Sequence, residues 1–414
     1  METHRYRGGR CGWRGGLAAC DPVLHPTFAV KEDPSAPVTF DLLSGNGTLA
    51  VVRATGAGAT VPAAGCWRVN RSDGSVVALP GCNRALRTSA DGSRILLDTN
   101  SGQVLWSSGT TLTPPGGIVF SKDLTFGVFV DTDGAVKTWK TADKSVGLVE
   151  TGFPRPAGTT SAQAKGISND GRKVEYTLSG TNPIARFVDL DTATKIDRPN
   201  LTSIPASVTD TFSLAPSGAG FLQVHERIHI DESTFPPILV IDESWAELVA
   251  FPSGKLIRRY TNTTQEGIAR SFISDDGGTA WLYRERIVAD GGASDCPDVA
   301  GVASCVESSH AILINNIGAA VFDTGPHDVA AMNSFGNGRF LVFDKFDSPY
   351  VSFNDGGPSG PVQILDWLTH HVETLSHAAT LNAWSANGQM SNDLRLVATT
   401  TTTGKGWYEY TTSP

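Results

Sequence analysis

Ser168-Asn169-Asp170-Gly171, followed by Arg172-Lys173-Val174-Glu175-Tyr176-Thr177-Leu178, is the stretch on which the fold turns. Its first four residues are turn formers, because Asn and Asp hydrogen-bond their own backbone and Gly supplies positive φ. The residues that follow have the β-branched and aromatic content of a strand. The same phrase occurs at Ser44-Gly45-Asn46-Gly47, Ser89-Ala90-Asp91-Gly92 and Ser121-Lys122-Asp123-Leu124. It returns at Ala215-Pro216-Ser217-Gly218, Ser274-Asp275-Asp276-Gly277, Ser334-Phe335-Gly336-Asn337-Gly338 and Ser391-Asn392-Asp393-Leu394. Each copy runs into an apolar segment, and copies lie 32 to 60 residues apart.

A tight turn feeding a strand at this spacing is the pattern of an all-β propeller, with blades of about 40 residues. A second strand follows most copies, as in FGVFV to AVKTWK across Asp131-Thr132-Asp133-Gly134, where Asp-Gly is a hairpin signal. Eight blades are favoured, with seven the next count. The last repeat is a strand short, and Phe28-Ala29-Val30 or Val38-Thr39-Phe40 is expected to close the ring. Residues 1–35 read as a flexible leader or tether and 36–414 as one propeller domain. The 44 Gly, 23 Pro and 18% charged residues suit many short strands and turns.

A net charge of −9 with scattered Lys and Arg argues against a nucleic-acid surface. No apolar run has the roughly 20 residues of a transmembrane segment. Six cysteines fall as Cys11/Cys20, Cys66/Cys82 and Cys296/Cys305. Local disulfides are expected for Cys66–Cys82 and Cys296–Cys305, against buried free thiols as the plainer reading. Leu17-Ala18-Ala19-Cys20 resembles a bacterial lipobox without its hydrophobic segment, which makes Cys20 a candidate for lipidation. Together these favour a periplasmic, cell-surface or secreted protein, with the cytoplasm as the alternative.

SADGSRILLDT, SNDGRKVEYTLSG with ARFVDLDTATK, and SNDLRLVATT resemble the repeat of TolB-type, WD-repeat-like bacterial propellers. The Pro of that repeat survives only as Pro216. The resemblance implies a binding scaffold, or a non-catalytic domain beside a hydrolase, although no G-x-S-x-G elbow occurs.

Few residues point to chemistry. His225-Glu226-Arg227-Ile228-His229 matches H-E-x-x-H, which holds zinc when it lies on a helix. The alternation of Leu222, Val224, Ile228 and Ile230 with polar residues instead predicts a strand, which spreads the two His about 13 Å apart. What remains is a weak metal site at His225, Asp231 and Glu232, so no cofactor is predicted, with Ca or Zn as the candidates. Ser274 to Trp281 resembles an Asp-box, a structural turn of sialidase-type propellers. Sialidase chemistry would also need Arg258, Arg259, Arg270, Arg284 and Arg286 to converge. Asp131/Asp133 and Asp189/Asp191 read as turns, the recurring Trp as packing, and His370-His371 as a solvated turn. The expected function is a non-catalytic binding or interaction scaffold for a protein or saccharide ligand. Its partner face is placed on insertion loops 225–237, 287–310 and 346–361. The alternative is a hydrolase or lyase in the central cleft, sialidase-like or metal-dependent.

Overall fold

The computed structural model describes residues 25–29, 38–58, 61–152, 157–200, 208–233, 237–263, 265–289, 304–315, 322–323, 328–335, 337–346, 362–375, 396–401 and 404–409. Among these there is no helix, and the strands form seven four-stranded antiparallel sheets and one of three strands. In chain order the four-stranded sheets span 38–79, 82–112, 119–150, 159–199, 208–261, 266–323 and 328–375, here the first to seventh sheets. Each is a meander in which sequential strands pair. The three-stranded sheet joins Leu396–Thr401 and Gly404–Glu409 to His25–Ala29, with Ala29 opposite Gly406. The N-terminal strand thus pairs with the C-terminal one from within the span read as a leader. Val38–Leu43, the other candidate for closure, opens the first sheet instead.

First strands touch between the first and second, third and fourth, fourth and fifth, and fifth and sixth sheets, and Val38–Leu43 also touches Leu396–Thr401. The first strands therefore form the inner wall of a ring, and the walls between sheets form the core. Between the third and fourth sheets Val128 and Val136 meet Val174, Tyr176 and Val188. Between the fourth and fifth, Phe187 stacks on Phe221 with centroids 3.9 Å apart. Leu222, Val224 and Leu248 then meet Ala280, Leu282 and Ile312, and Trp281 and Leu313 meet Leu341 and Leu365. Second strands are buried on both faces, which explains why they read as nearly continuous apolar runs.

Among the described residues the recurring phrase is the turn from first to second strand, and its chemistry repeats; the copy at 391–394 lies outside them. The buried Ser accepts from the N–H five residues on (Leu49 to Ser44, Arg94 to Ser89, Phe126 to Ser121, Lys173 to Ser168, Thr279 to Ser274). Its hydroxyl donates to the Asp or Asn two residues on. The fourth residue takes the left-handed conformation, usually as Gly. Leu124 does so at φ 61° without being Gly, and is fully buried. Adjacent turns are also tied together. Asn46 donates its N–H to Ala90 O, Asn169 to Pro216 O and Ser217 to Asp275 O, while Asp276 and Asn337 exchange hydrogen bonds. The turns form a belt around one end of the ring.

Cys66 and Cys82 form a disulfide, with Cα atoms 5.7 Å apart. It clips the third strand of the first sheet to the first strand of the second. Cys20, Cys296, the side chain of Cys305 and residues 347–361 lie outside what is described.

Candidate functional site

At the end opposite the belt, two neighbouring sheets outgrow their own edges. In the fifth, the inner strand Val208–Leu214 ends opposite Arg227 and the outer strand Leu256–Thr261 ends opposite Trp245. The middle pair, Gly220–Asp231 and Ile238–Ala250, continues through Ile228–Ile241, His229–Val240, Ile230–Leu239 and Asp231–Ile238. Four residues beyond the inner strand give a hairpin projecting about 13 Å. In the sixth sheet, Thr279–Ala289 and Ser304–Asn315 outrun the inner strand, which ends at the pair Glu266–Arg286. Of the segments expected as insertion loops, 225–231, 287–289 and 304–310 are strand, while 234–236 and 290–303 lie outside the described residues. Alternating residues drive them: Leu222, Val224, Ile228, Ile230 on one strand, and Leu239, Ile241 on the other.

The hairpin of the fifth sheet shows Ile230 at 52% exposure. Around it run charges of both signs. His229 Nδ1 lies 3.0 Å from Asp242, and Arg227 lies 3.9 Å from Asp242 and 3.7 Å from Glu243. Asp231 accepts from the Ser233 N–H and hydroxyl, which hold its carboxyl below the usual range.

At the hairpin's base the polar groups are buried. His225 Nδ1 lies 2.9 Å from Asp210 Oδ1, its register partner on the inner strand. Gln223 donates to the same oxygen at 3.4 Å, and its own Oε1 is buried without a hydrogen-bond partner. His225 stacks on Trp245 with centroids 4.8 Å apart, and the Arg259 guanidinium covers the far ring at 4.6 Å. An ionised Asp210 can only accept, which makes His225 Nδ1 the donor of this pair. Among the described residues, no hydroxyl or thiol is hydrogen-bonded to His225.

Through the wall toward the sixth sheet, burial raises the Glu226 carboxyl against the Ile268 N–H it accepts. Gly267 makes room for it, since a Cβ there would sit 2.2 Å from Glu226 Oε1. Burial likewise raises Glu285, with Glu226 adding to the effect. Glu175 is the extreme case. It faces the fifth sheet, accepts only the Leu214 N–H at 2.9 Å, and burial pushes its carboxyl up to about 7.

H-E-x-x-H lies on a strand, as its alternation predicts. His225 and Asp231 are six residues apart along it, about 20 Å. Glu232 is exposed in the turn beyond, so the structure does not bring the three together. Among the described residues no group of three His, Cys, Asp or Glu is placed to hold a metal. The Asp-box is the turn of the sixth sheet: Asp276 accepts the Ser274 hydroxyl and the Gly278 N–H, and Trp281 is fully buried. The five Arg are spread from outer to inner strands. Arg259 covers Trp245, Arg284 pairs with Glu266 at 3.3 Å, and Arg270 stands on the inner strand. Asp131/Asp133 form a turn closed on Lys137. Asp210 and Gln223 were not singled out by sequence. The only signal for them is the alternation of VTDTFSL against FLQVHER, which requires the register to be known.

No family model and no curated protein matches the chain. Among solved structures it is similar to an oligogalacturonate lyase in complex with manganese, at 15% identity over 91% of this chain and 97% of that one, TM-score 0.47. It is similar to the oligogalacturonate lyase of Vibrio parahaemolyticus at 13% identity, covering 90% and 96%, TM-score 0.45. The beta-propeller domain of Cps50 (Swd1) from Myceliophteria thermophila is similar at 9% identity, covering 81% and 99%, TM-score 0.36. The likeness is one of fold.

Proposed function

We propose that this propeller is a non-catalytic interaction scaffold that docks a protein partner on the projecting hairpins of its fifth and sixth sheets. The observation that carries this reading is the hairpin 228–241, which leaves its own sheet with Ile230 exposed among charges of both signs. An apolar residue ringed by charge is the usual make-up of a protein contact. An exported location is supported by the Cys66–Cys82 disulfide, since such bonds persist in oxidising compartments.

A photo-crosslinking side chain placed at Ile230 in cells of the source organism tests the docking face. The control position is Leu148, 60% exposed on an outer strand of the third sheet. A discrete adduct at Ile230 and none at Leu148 is expected. No adduct at Ile230, or the same adducts at both, overturns the reading. A second reading, a hydrolase or lyase in the central cleft, draws on the Asp210–His225 pair, an imidazole hydrogen-bonded to a carboxylate at 2.9 Å.

A further inference from the structure

The two edges of the hairpin that projects from the fifth sheet differ in what meets their backbone. In an antiparallel pair, opposite residues either exchange both backbone hydrogen bonds or both turn them away. On the outer edge, Ile241 accepts the Gln265 N–H at 3.3 Å and donates its own N–H to the Gln265 side chain at 3.4 Å. Its register partner Ile228 therefore turns its N–H and C=O to the inner edge, and Ile230, two residues on, does the same. The base of the strand follows the same alternation. There the Ala215 N–H donates to Gly220 O, so the even-numbered residues from Gly220 onward are those that face the inner strand. That inner strand begins at Val208, opposite Arg227 and one residue short of Ile228. On its register Pro205 would fall opposite Ile230, and proline has no N–H to give to the Ile230 carbonyl. Among the described residues, no group is bonded to the backbone of Ile228 or Ile230 on this side.

The inner edge thus offers an N–H and a C=O at each of two alternate residues, about 7 Å apart. An extended backbone carries its own groups at that spacing, and an open strand edge is a template for one. The side chains set the composition of what pairs there. Ile228 and Ile230 share one face of the hairpin with their register partners Ile241 and Leu239. The other face carries Arg227, His229 and Asp231, and the Asp242 and Glu243 carboxylates lie beside Arg227 and His229. Three carboxylates against one guanidinium make that face acidic.

We propose that the hairpin's inner edge captures an extended segment of a protein partner as an added antiparallel strand, one in which apolar residues alternate with Lys or Arg. The inference rests on the docking reading above and names the form of the partner. The apolar residues sit opposite Ile228 and Ile230 and exchange backbone hydrogen bonds with them, while the basic residues lie on the face of Asp231, Asp242 and Glu243. Backbone pairing supplies the affinity and the alternating side chains the selectivity.

Fluorescence anisotropy of a labelled octapeptide of alternating lysine and valine, titrated with the full chain, tests this. Two further versions carry N-methyl groups on alternate amides, one on its valines and one on its lysines, at the same charge. A valine opposite an isoleucine uses its own amide in the ladder. The valine-methylated peptide is therefore expected to bind about tenfold more weakly than the unmethylated one, and the lysine-methylated peptide within about twofold of it. No binding of the unmethylated peptide overturns the proposal. So does equal binding of the two methylated peptides, which is what attraction by charge alone would give. In the protein, Ile230→Pro removes the outward N–H and leaves the bonds of His229 and Asp231 to the returning strand. It is expected to weaken the unmethylated peptide about tenfold, against about threefold for Ile230→Ser, which keeps the amide. Equal weakening by the two variants would assign the contact to the side chain: the strand pairing then falls while the docking face, tested separately by the adduct at Ile230 in cells, stands. Hydrogen exchange at the His229 and Asp231 amides shows whether the Pro variant keeps its hairpin, and where it does not, the methylated peptides decide alone.

Discussion

The turn at Ser168 and the hairpin at Ile230 sit at opposite ends of adjacent sheets, and they use polar residues in contrary ways. At the turn, Ser168 is fully buried, takes the Lys173 N–H and gives its proton to Asp170, and the next residue along is bonded to the neighbouring sheet. Every polar group there satisfies backbone, so little is left to meet a partner. At the hairpin, the backbone is satisfied by the two strands alone, and the side chains of Arg227, His229, Ile230 and Asp242 stand free of the sheets. Repetition marks the end that holds the ring together. The break in repetition marks the end that is free to vary.

The wall joining the two ends gives the largest expected effect. Burial pushes the Glu175 carboxyl up to about 7 in the folded chain from its ordinary 4.5, so the folded chain holds this proton more tightly than the unfolded one. Its burial costs nothing below about pH 4.5, and stability falls as pH rises from there to about 7. Glu175→Gln keeps an acceptor for the Leu214 N–H and removes the ionisation. At pH 8 the variant should be more stable than wild type by up to about 3 kcal/mol in urea unfolding, with no difference at pH 4.5. A pH-independent difference would mean that Glu175 stays charged in the folded wall.

Ser168→Ala should cost about 1 to 3 kcal/mol, because the buried Lys173 N–H loses its acceptor. The fifth-sheet copy carries Ala215 where the others carry Ser, and there Ser217 takes the Ala219 N–H as Asp170 takes the Arg172 N–H, with no carboxylate left beside the missing hydroxyl. The double variant Ser168→Ala/Asp170→Ser, built on that copy, should recover part of the loss. No recovery would show that the belt depends on its Ser at this position. Ile230→Ser should change stability by less than about 0.5 kcal/mol, since the residue is exposed beyond the sheet. A larger loss would mean that the hairpin is part of the wall and would erase the contrast drawn above.

Much of the fold was legible before any coordinates. The turn phrase predicted the first-to-second-strand turns, HERIH read as a strand by its alternation, and Phe28 was a candidate for the closing strand. Ser274 to Trp281 read as a turn, and it is one. Residues 225–231, 287–289 and 304–310 are strand where loops are expected, because the turn residues beside them outweigh the alternation in a reading of the sequence. The site residues were harder. His225 was noticed for a spacing that means nothing on a strand, and its real partner Asp210 is fifteen residues away on the neighbouring strand. Glu175 sits in the middle of the quoted stretch, and nothing in KVEYTL marks it as buried.

The sequence by itself determined the local structure, because turn chemistry and side-chain alternation act within about ten residues. It therefore specified the meanders and their turns, even at Leu124, where the left-handed conformation persists without glycine. Only the tertiary structure decided which polar groups the walls enclose. A strand has two faces and an edge, and whether Glu175 or Asp210 meets apolar wall or solvent depends on neighbouring sheets supplied by distant parts of the chain.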